Sequence, residues 1–202
     1  EGMLAPAALP SAPEERILFF GDWRRSKGLP ELMRAFDRLH ERRPAARLTI
    51  AGTPYRDADP EAVRAWARGH GDAVTVIDRY VPIEDLPRLF GDARVVATPY
   101  VAGSQSGVLH LAMSFGRAVV CSDVGELGAT VSDGETGRVV PAGDVEALVG
   151  ALEAVIGDPA EAERLGRAAR AWMLAEAGWD RVAARVEQEL QALAASNGTR
   201  FR

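Results

Sequence analysis

Ile17-Leu18-Phe19-Phe20-Gly21-Asp22-Trp23-Arg24-Arg25-Ser26-Lys27-Gly28 decides how the rest of the chain is read. Four consecutive apolar residues stopped by a glycine predict a short strand buried on both faces. The loop that follows leads into a segment from Pro30 to Glu41, where Leu32, Met33, Phe36 and Leu39 recur at helical spacing. Outward from this unit the alternation repeats. Arg47 to Ala51 is a second strand, stopped by Gly52, and Pro60 opens a helix that runs to Gly69. Val74 to Ile77, Arg94 to Ala97, Ala118 to Cys121 and Gly137 to Val140 are four more strands. Short helices are predicted from Ile83 to Phe90 and from about Ser106 to Phe115. After Asp144, a good N-cap, the chain reads as helical to about Ala195, with breaks at Gly157-Asp158-Pro159 and Gly178. Strands with no polar face that alternate with helices predict an α/β fold: a Rossmann-like, doubly wound parallel sheet of about six strands with C-terminal helices. Residues 1–15, with Pro6, Pro10 and Pro13, read as a linker or boundary, and residues 16–202 as one domain.

Composition narrows the function classes. At 202 residues, 47% hydrophobic and 26% charged, the chain is long enough for one well-buried core. Its net charge of −5 argues against nucleic acid or an anionic membrane surface as the main partner. The single cysteine, Cys121, lies in an apolar run and is expected to be a buried, unreactive thiol. No apolar stretch reaches the ~20 residues of a membrane span, and no secretion signal is evident, so a cytoplasmic location is expected. Of 24 basic residues only Lys27 is a lysine, which draws attention to the loop that holds it.

Ligands of doubly wound sheets bind at the carboxyl ends of the strands. Two segments there can carry chemistry. In the first, Gly21 and Gly28 allow a tight backbone, and Arg24, Arg25 and Lys27 supply charge suited to a diphosphate. The Walker and dinucleotide glycine patterns are both absent. Composition alone leaves this loop equally open to being a solvated basic turn. In the second, Ser104-Gln105-Ser106-Gly107-Val108 opens a helix, whose free N–H groups bind anions. Taken alone it reads first as a serine N-cap; beside the cationic loop, a phosphate site becomes the better reading. Asp57-Ala58-Asp59 reads as a loop and helix cap rather than a metal site. Asp133-Gly134-Glu135-Thr136-Gly137 reads as a turn. His40 and His70 fall at helix ends, where a cation suits the dipole. His110 reads as packing, Trp172 and Leu174 as core, and Asn197-Gly198-Thr199 matches a glycosylation pattern without a secretion signal.

In order and spacing these fragments resemble the C-terminal, nucleotide-sugar half of family 4 glycosyltransferases of GT-B architecture, from Ile17 to about Leu190. Phe19-Phe20-Gly21 to Arg24 and Lys27-Gly28-Leu29 resemble the family's phosphate motif. Tyr80-Val81-Pro82 with Glu84-Asp85-Leu86 resembles the segment beside the base. Pro99-Tyr100, Ser104 to Val108 and Phe115-Gly116 resemble a diphosphate loop and helix. Val119 to Gly125, Asp133 to Gly137, Pro141 to Asp144 and Trp179 continue the match.

The resemblance implies sugar transfer from a nucleoside-diphosphate sugar with retention of configuration, with no cofactor and no metal. Arg24 and Lys27 would be the catalytic cations that neutralise the leaving diphosphate. Gly21, Tyr80, Val81, Ser104, Gln105, Ser106, Gly107 and Val108 would bind the donor. It also implies an acceptor-binding N-terminal domain as partner, in cis or in trans, without which this half is inactive. The departures are specific. Many members carry two glutamates eight residues apart at the diphosphate helix, but no acidic residue lies between Val101 and Ser122, and the second glutamate's place falls at or beside Leu111. The family's frequent arginine after the first glycine is Asp22, and Glu126 and Ala129 stand where a glycine and a glutamate are common. A non-catalytic nucleotide-sugar-binding module or subunit remains an alternative. So does a UDP-sugar 2-epimerase-like domain, which the Arg…Lys-Gly and Asp-Val-Gly segments oppose. A dinucleotide oxidoreductase is opposed by the missing glycine fingerprint.

Overall fold

The apolar runs become the six strands of one parallel sheet in a computed structural model that describes residues 14–176 and 179–198. They are β1 (Arg16–Phe20), β2 (Arg47–Ala51), β3 (Val74–Ile77), β4 (Val95–Thr98), β5 (Ala118–Ser122) and β6 (Arg138–Val140), in spatial order β3-β2-β1-β4-β5-β6. β1 is central: Ile17 stands beside Leu48 on one side and Val95 on the other. The helices are α1 (Leu29–Arg42), α2 (Pro60–Gly69), α3 (Leu86–Gly91), α4 (Gly107–Ser114), α5 (Leu127–Thr130), α6 (Val145–Gly157), α7 (Pro159–Glu176) and α8 (Trp179–Gly198).

Alternation along each strand divides the buried residues into two cores, since successive side chains point to opposite faces. Ile17, Phe19, Ile50 and Val95 pack with Leu32 and Phe36 of α1 and Leu152 of α6. Leu18, Val96, Val119 and Cys121 pack with Phe90, Leu109 and Met113 on the other face. Both faces are therefore covered, which explains why no strand has a polar face. Each fully buried aromatic or aliphatic side chain contributes about 1.5–3 kcal/mol of transfer free energy.

Several local expectations hold. Asp59 accepts the Ala62 N–H at 3.0 Å as the cap of α2, and Asp144 caps α6 through the Ala147 N–H. Asp133 to Gly137 is a turn: Asp133 accepts the Val139 N–H, and this bond and Arg138 hold its carboxyl below the usual carboxylate range. Cys121 is fully buried, and burial pushes its thiol up to about 12.

Other expectations are corrected. β4 begins at Val95, one residue later than expected; the Arg94 N–H still bonds the Arg16 carbonyl and its guanidinium bonds the Ile156 carbonyl. The short helix α5 carries too few apolar residues to announce itself. Leu174 is 57% exposed rather than core, whereas Trp172 and Met173 beside it pack against the second core. His40 and His70 do fall at the ends of α1 and α2; in addition His70 pairs with Asp37 at 3.0 Å and its ring lies 6.0 Å from that of His40. Residues 1–13, the expected break at Gly178, and Thr199 lie outside the described residues.

Candidate functional site

The strand order reverses between β1 and β4, so the connections leaving these neighbours run to opposite sides and open a crevice at their carboxyl ends. The two segments singled out in the sequence are those two connections. They touch through backbone. Val101 donates its N–H to the Ser26 carbonyl at 2.9 Å. Gly28, at φ 70°, lies so close to Pro99 that a Cβ would stand 1.7 Å from the Pro99 carbonyl oxygen. Only glycine fits that combination of left-handed backbone and contact. A third loop closes the other side: Glu126 donates its N–H to the Ser104 carbonyl at 2.7 Å.

On this frame Lys27, Tyr100 and Ser106 form a row. The Lys27 ammonium lies 3.8 Å from the centre of the Tyr100 ring, a cation–π contact. The Tyr100 hydroxyl shares a 2.9 Å hydrogen bond with the Ser106 hydroxyl, whose oxygen also accepts the Leu109 N–H at 3.1 Å. Ser106 is thus the N-cap of α4, and its side chain is fully engaged. The N–H groups of Gly107 and Val108, in the first turn, have no carbonyl within the helix to bond and carry the positive end of its dipole. Around Gly107 an added Cβ would meet nothing within 4 Å, so the approach is open. Val108 lies against Gly21, with a Cβ on Gly21 falling 3.2 Å from the Val108 side chain. Ser104 and Gln105 are exposed.

The electrostatics of the row are unbalanced. Burial first, then the charge of Arg24, holds the Lys27 ammonium below the usual lysine value, with Asp22 opposing. Burial pushes the Tyr100 phenol up. Arg24 is held separately: its guanidinium lies 3.8 Å from the Tyr55 ring centre, beside Asp22 at 3.7 Å.

The remaining predicted residues are less tightly gathered. Val81 packs in the same core as Tyr100 and Leu109. Tyr80 is 73% exposed, after β3 and two strands from β1. Leu111 packs against the second core, so no carboxylate of α4 faces the crevice. Sequence reasoning missed Tyr55 and underused Tyr100. The only signal was an aromatic residue shortly after an apolar strand, and that does not reveal which cation it will hold. Among the described residues, no group of three or more His, Cys, Asp and Glu stands where it could hold a metal ion. No helix among them is long and apolar enough to cross a membrane.

This sheet order and crevice are those of a doubly wound, Rossmann-like α/β domain. The family model for group 1 glycosyl transferases matches residues 14–158, and the chain belongs to that family. It is 32% identical over 200 residues to a Mycobacterium tuberculosis glycogen synthase, covering 96% of this chain and 46% of that protein. It is 34% identical over 173 residues to a GDP-mannose-dependent phosphatidylinositol monomannoside mannosyltransferase of Mycolicibacterium smegmatis, covering 81% of this chain and 44% of that one. The chain therefore spans about half the length of the curated relatives it matches. Among solved structures, sucrose-phosphate synthase from Thermosynechococcus elongatus superposes with a TM-score of 0.77 at 28% identity, over 93% of this chain and 47% of that one. The Anabaena protein HepE, solved with UDP, superposes at 0.78 with 17% identity, over 89% and 49%, which shows the shared fold. The fold is the Rossmann-like half seen in GT-B glycosyltransferases.

Proposed function

We propose that this chain is the donor-binding half of a retaining glycosyltransferase, holding the diphosphate of a nucleoside-diphosphate sugar in the β1/β4 crevice. The carrying observation is the convergence of a desolvated Lys27 ammonium and the N-terminus of α4 on one crevice. A bound diphosphate would give Lys27 the counter-charge it lacks and would accept from the Gly107 and Val108 N–H groups. As the bond to the sugar breaks, charge builds on the leaving phosphate, and Lys27 and Arg24 stabilise it from fixed positions. Neither cation needs to reorganise far, since each already rests on an aromatic ring. Tyr80 and Val81 lie on the base side of this arrangement. The acceptor and the second half of the active site would come from another domain, in cis or in trans.

Calorimetric titration with UDP, GDP, ADP and NAD tests this reading. One nucleoside diphosphate binds, and Lys27→Ala weakens it about 10–100-fold, the worth of a charge-assisted hydrogen bond of 1.5–3 kcal/mol. Arg24→Ala weakens it as well. Binding of NAD in preference to every nucleoside diphosphate refutes the reading. A second reading, a binding module without transferase activity, is favoured by one observation: Leu111 is packed where a ribose carboxylate is common. Donor binding without transfer, even with the acceptor half supplied, would select it.

A further inference from the structure

The backbone on either side of Tyr100 is tied to the backbone on either side of Lys27. The Pro99 carbonyl lies on Gly28, where a Cβ would stand 1.7 Å from its oxygen, and Val101 donates its N–H to the Ser26 carbonyl at 2.9 Å. These two contacts bracket the pair and bring the Lys27 ammonium to 3.8 Å from the centre of the Tyr100 ring. The ring is itself anchored. It is buried in the second core, and its hydroxyl bonds the Ser106 hydroxyl at 2.9 Å. Ser106 in turn caps α4 through the Leu109 N–H. The Tyr55 ring beside Arg24 lacks this anchoring: it is exposed, and its hydroxyl makes no hydrogen bond among the described residues.

A lysine stem is flexible and its ammonium strongly hydrated. Free in solvent, such a group gives up rotamers and water each time it meets a phosphate. Over a fixed ring, most of that ordering is complete once the chain has folded. We propose that Tyr100 is a positioning residue for diphosphate binding: its ring sets the Lys27 ammonium at the crevice, and its hydroxyl ties that position to the N-terminus of α4. The inference rests on the donor reading above. It makes the two anion-binding elements, one after β1 and one after β4, a single unit joined through one side chain. Tyrosine performs both tasks, phenylalanine only the first, and leucine neither.

Lys27 is the only lysine of the chain, so isotope labelling of lysine gives one side-chain signal to follow by NMR. Protons over an aromatic face are shifted upfield. The Lys27 Hε signal should lie upfield of its position in the urea-unfolded chain. It should stay upfield when UDP, GDP or ADP, whichever binds, saturates the site. A signal at the unfolded position in either state overturns the inference, and this result needs no variant. Tyr100→Leu should move the signal toward the unfolded position and weaken nucleoside-diphosphate binding about 3–30-fold by calorimetry. Tyr100→Phe should keep both the upfield signal and the affinity, at some cost in stability. In the Lys27→Ala chain, Tyr100→Leu should add no further loss of affinity. Full affinity in Tyr100→Leu overturns the inference and leaves the donor site standing. So does a loss that persists without Lys27, or a loss as large in Tyr100→Phe as in Tyr100→Leu. A folded wild-type chain that binds no nucleoside diphosphate overturns the donor reading and this inference together.

Discussion

Replacing Ser106 by alanine should be the most informative perturbation of the crevice, because one hydroxyl serves two partners. It accepts the Leu109 N–H as the cap of α4 and bonds the Tyr100 hydroxyl, with Ser106 3% and Tyr100 2% exposed. Loss of a serine cap costs about 1 kcal/mol. The Tyr100 hydroxyl, left buried and unpaired, adds about 1–2 kcal/mol of desolvation. Ser106→Ala should therefore destabilise the chain by about 2–3 kcal/mol. That corresponds to a fall in Tm of about 4–12 °C for a domain of this size. Tyr100→Phe keeps the ring under Lys27 and removes only the hydroxyl. In the double variant no orphaned hydroxyl remains, so the two single losses should exceed the double loss by about 1 kcal/mol or more. Urea unfolding of the four proteins measures the cycle. Additivity within about 0.3 kcal/mol would refute the Tyr100–Ser106 link, and a Ser106→Ala loss below about 0.5 kcal/mol would refute the cap as well.

Three further outcomes follow from the same contacts. Gly28→Ala forces a Cβ against the Pro99 carbonyl from a left-handed backbone; it should cost at least about 2 kcal/mol in urea unfolding, with nucleoside-diphosphate binding lost in the folded fraction by calorimetry, and wild-type values for both would contradict the contact. Cys121 should ignore a thiol reagent at pH 8 in the native state and react fully in guanidinium chloride, since burial pushes its thiol up to about 12; native reactivity would count against its burial. Lys27 titrates lower in the folded chain than in the unfolded one, so between those two values the unfolded chain holds more protons and the Lys27 contribution to stability rises with pH. A bound diphosphate reverses this by drawing a proton back. Nucleotide binding should weaken as pH rises through the Lys27 value, with proton uptake seen by calorimetry in two buffers, and no uptake in Lys27→Ala.

How much of this was legible in the sequence depends on the range of each interaction. The strands were legible because burial on both faces leaves runs such as Ile17 to Phe20 and Val95 to Ala97 with no polar position. The caps were legible because Asp59 and Asp144 bond N–H groups three residues on. The crevice was half legible. Both loops could be placed on the carboxyl edge, but the order that sets β4 beside β1 depends on pairing between Leu18 and Val96, which no local pattern encodes. The bond from Val101 to Ser26 and the contact of Gly28 with Pro99 share that origin. The histidines went the same way: dipole logic addressed the ends of α1 and α2 singly, whereas packing around Phe36 brought the two ends together.

What the geometry adds is a reason for pairing each loop cation with an aromatic ring. The turn at Arg25 to Lys27 sends Arg24 toward Tyr55, after β2, and Lys27 toward Tyr100, after β4. A carboxylate partner would fix each cation more strongly, but it would also cancel the charge and have to be displaced by an incoming phosphate. A ring holds a cation for about 0.5–1 kcal/mol at an exposed site and leaves its charge intact. Among the described residues no carboxylate lies within ion-pair distance of Lys27, and the Asp22 partner of Arg24 stands at 3.7 Å with both side chains about half exposed, where an ion pair is worth little. The absence of acidic residues between Val101 and Ser122 serves the same end from the α4 side. Lys27 is therefore a cation without a carboxylate partner at the crevice, and on the donor reading proposed above an anionic ligand there would be stabilising rather than merely tolerated.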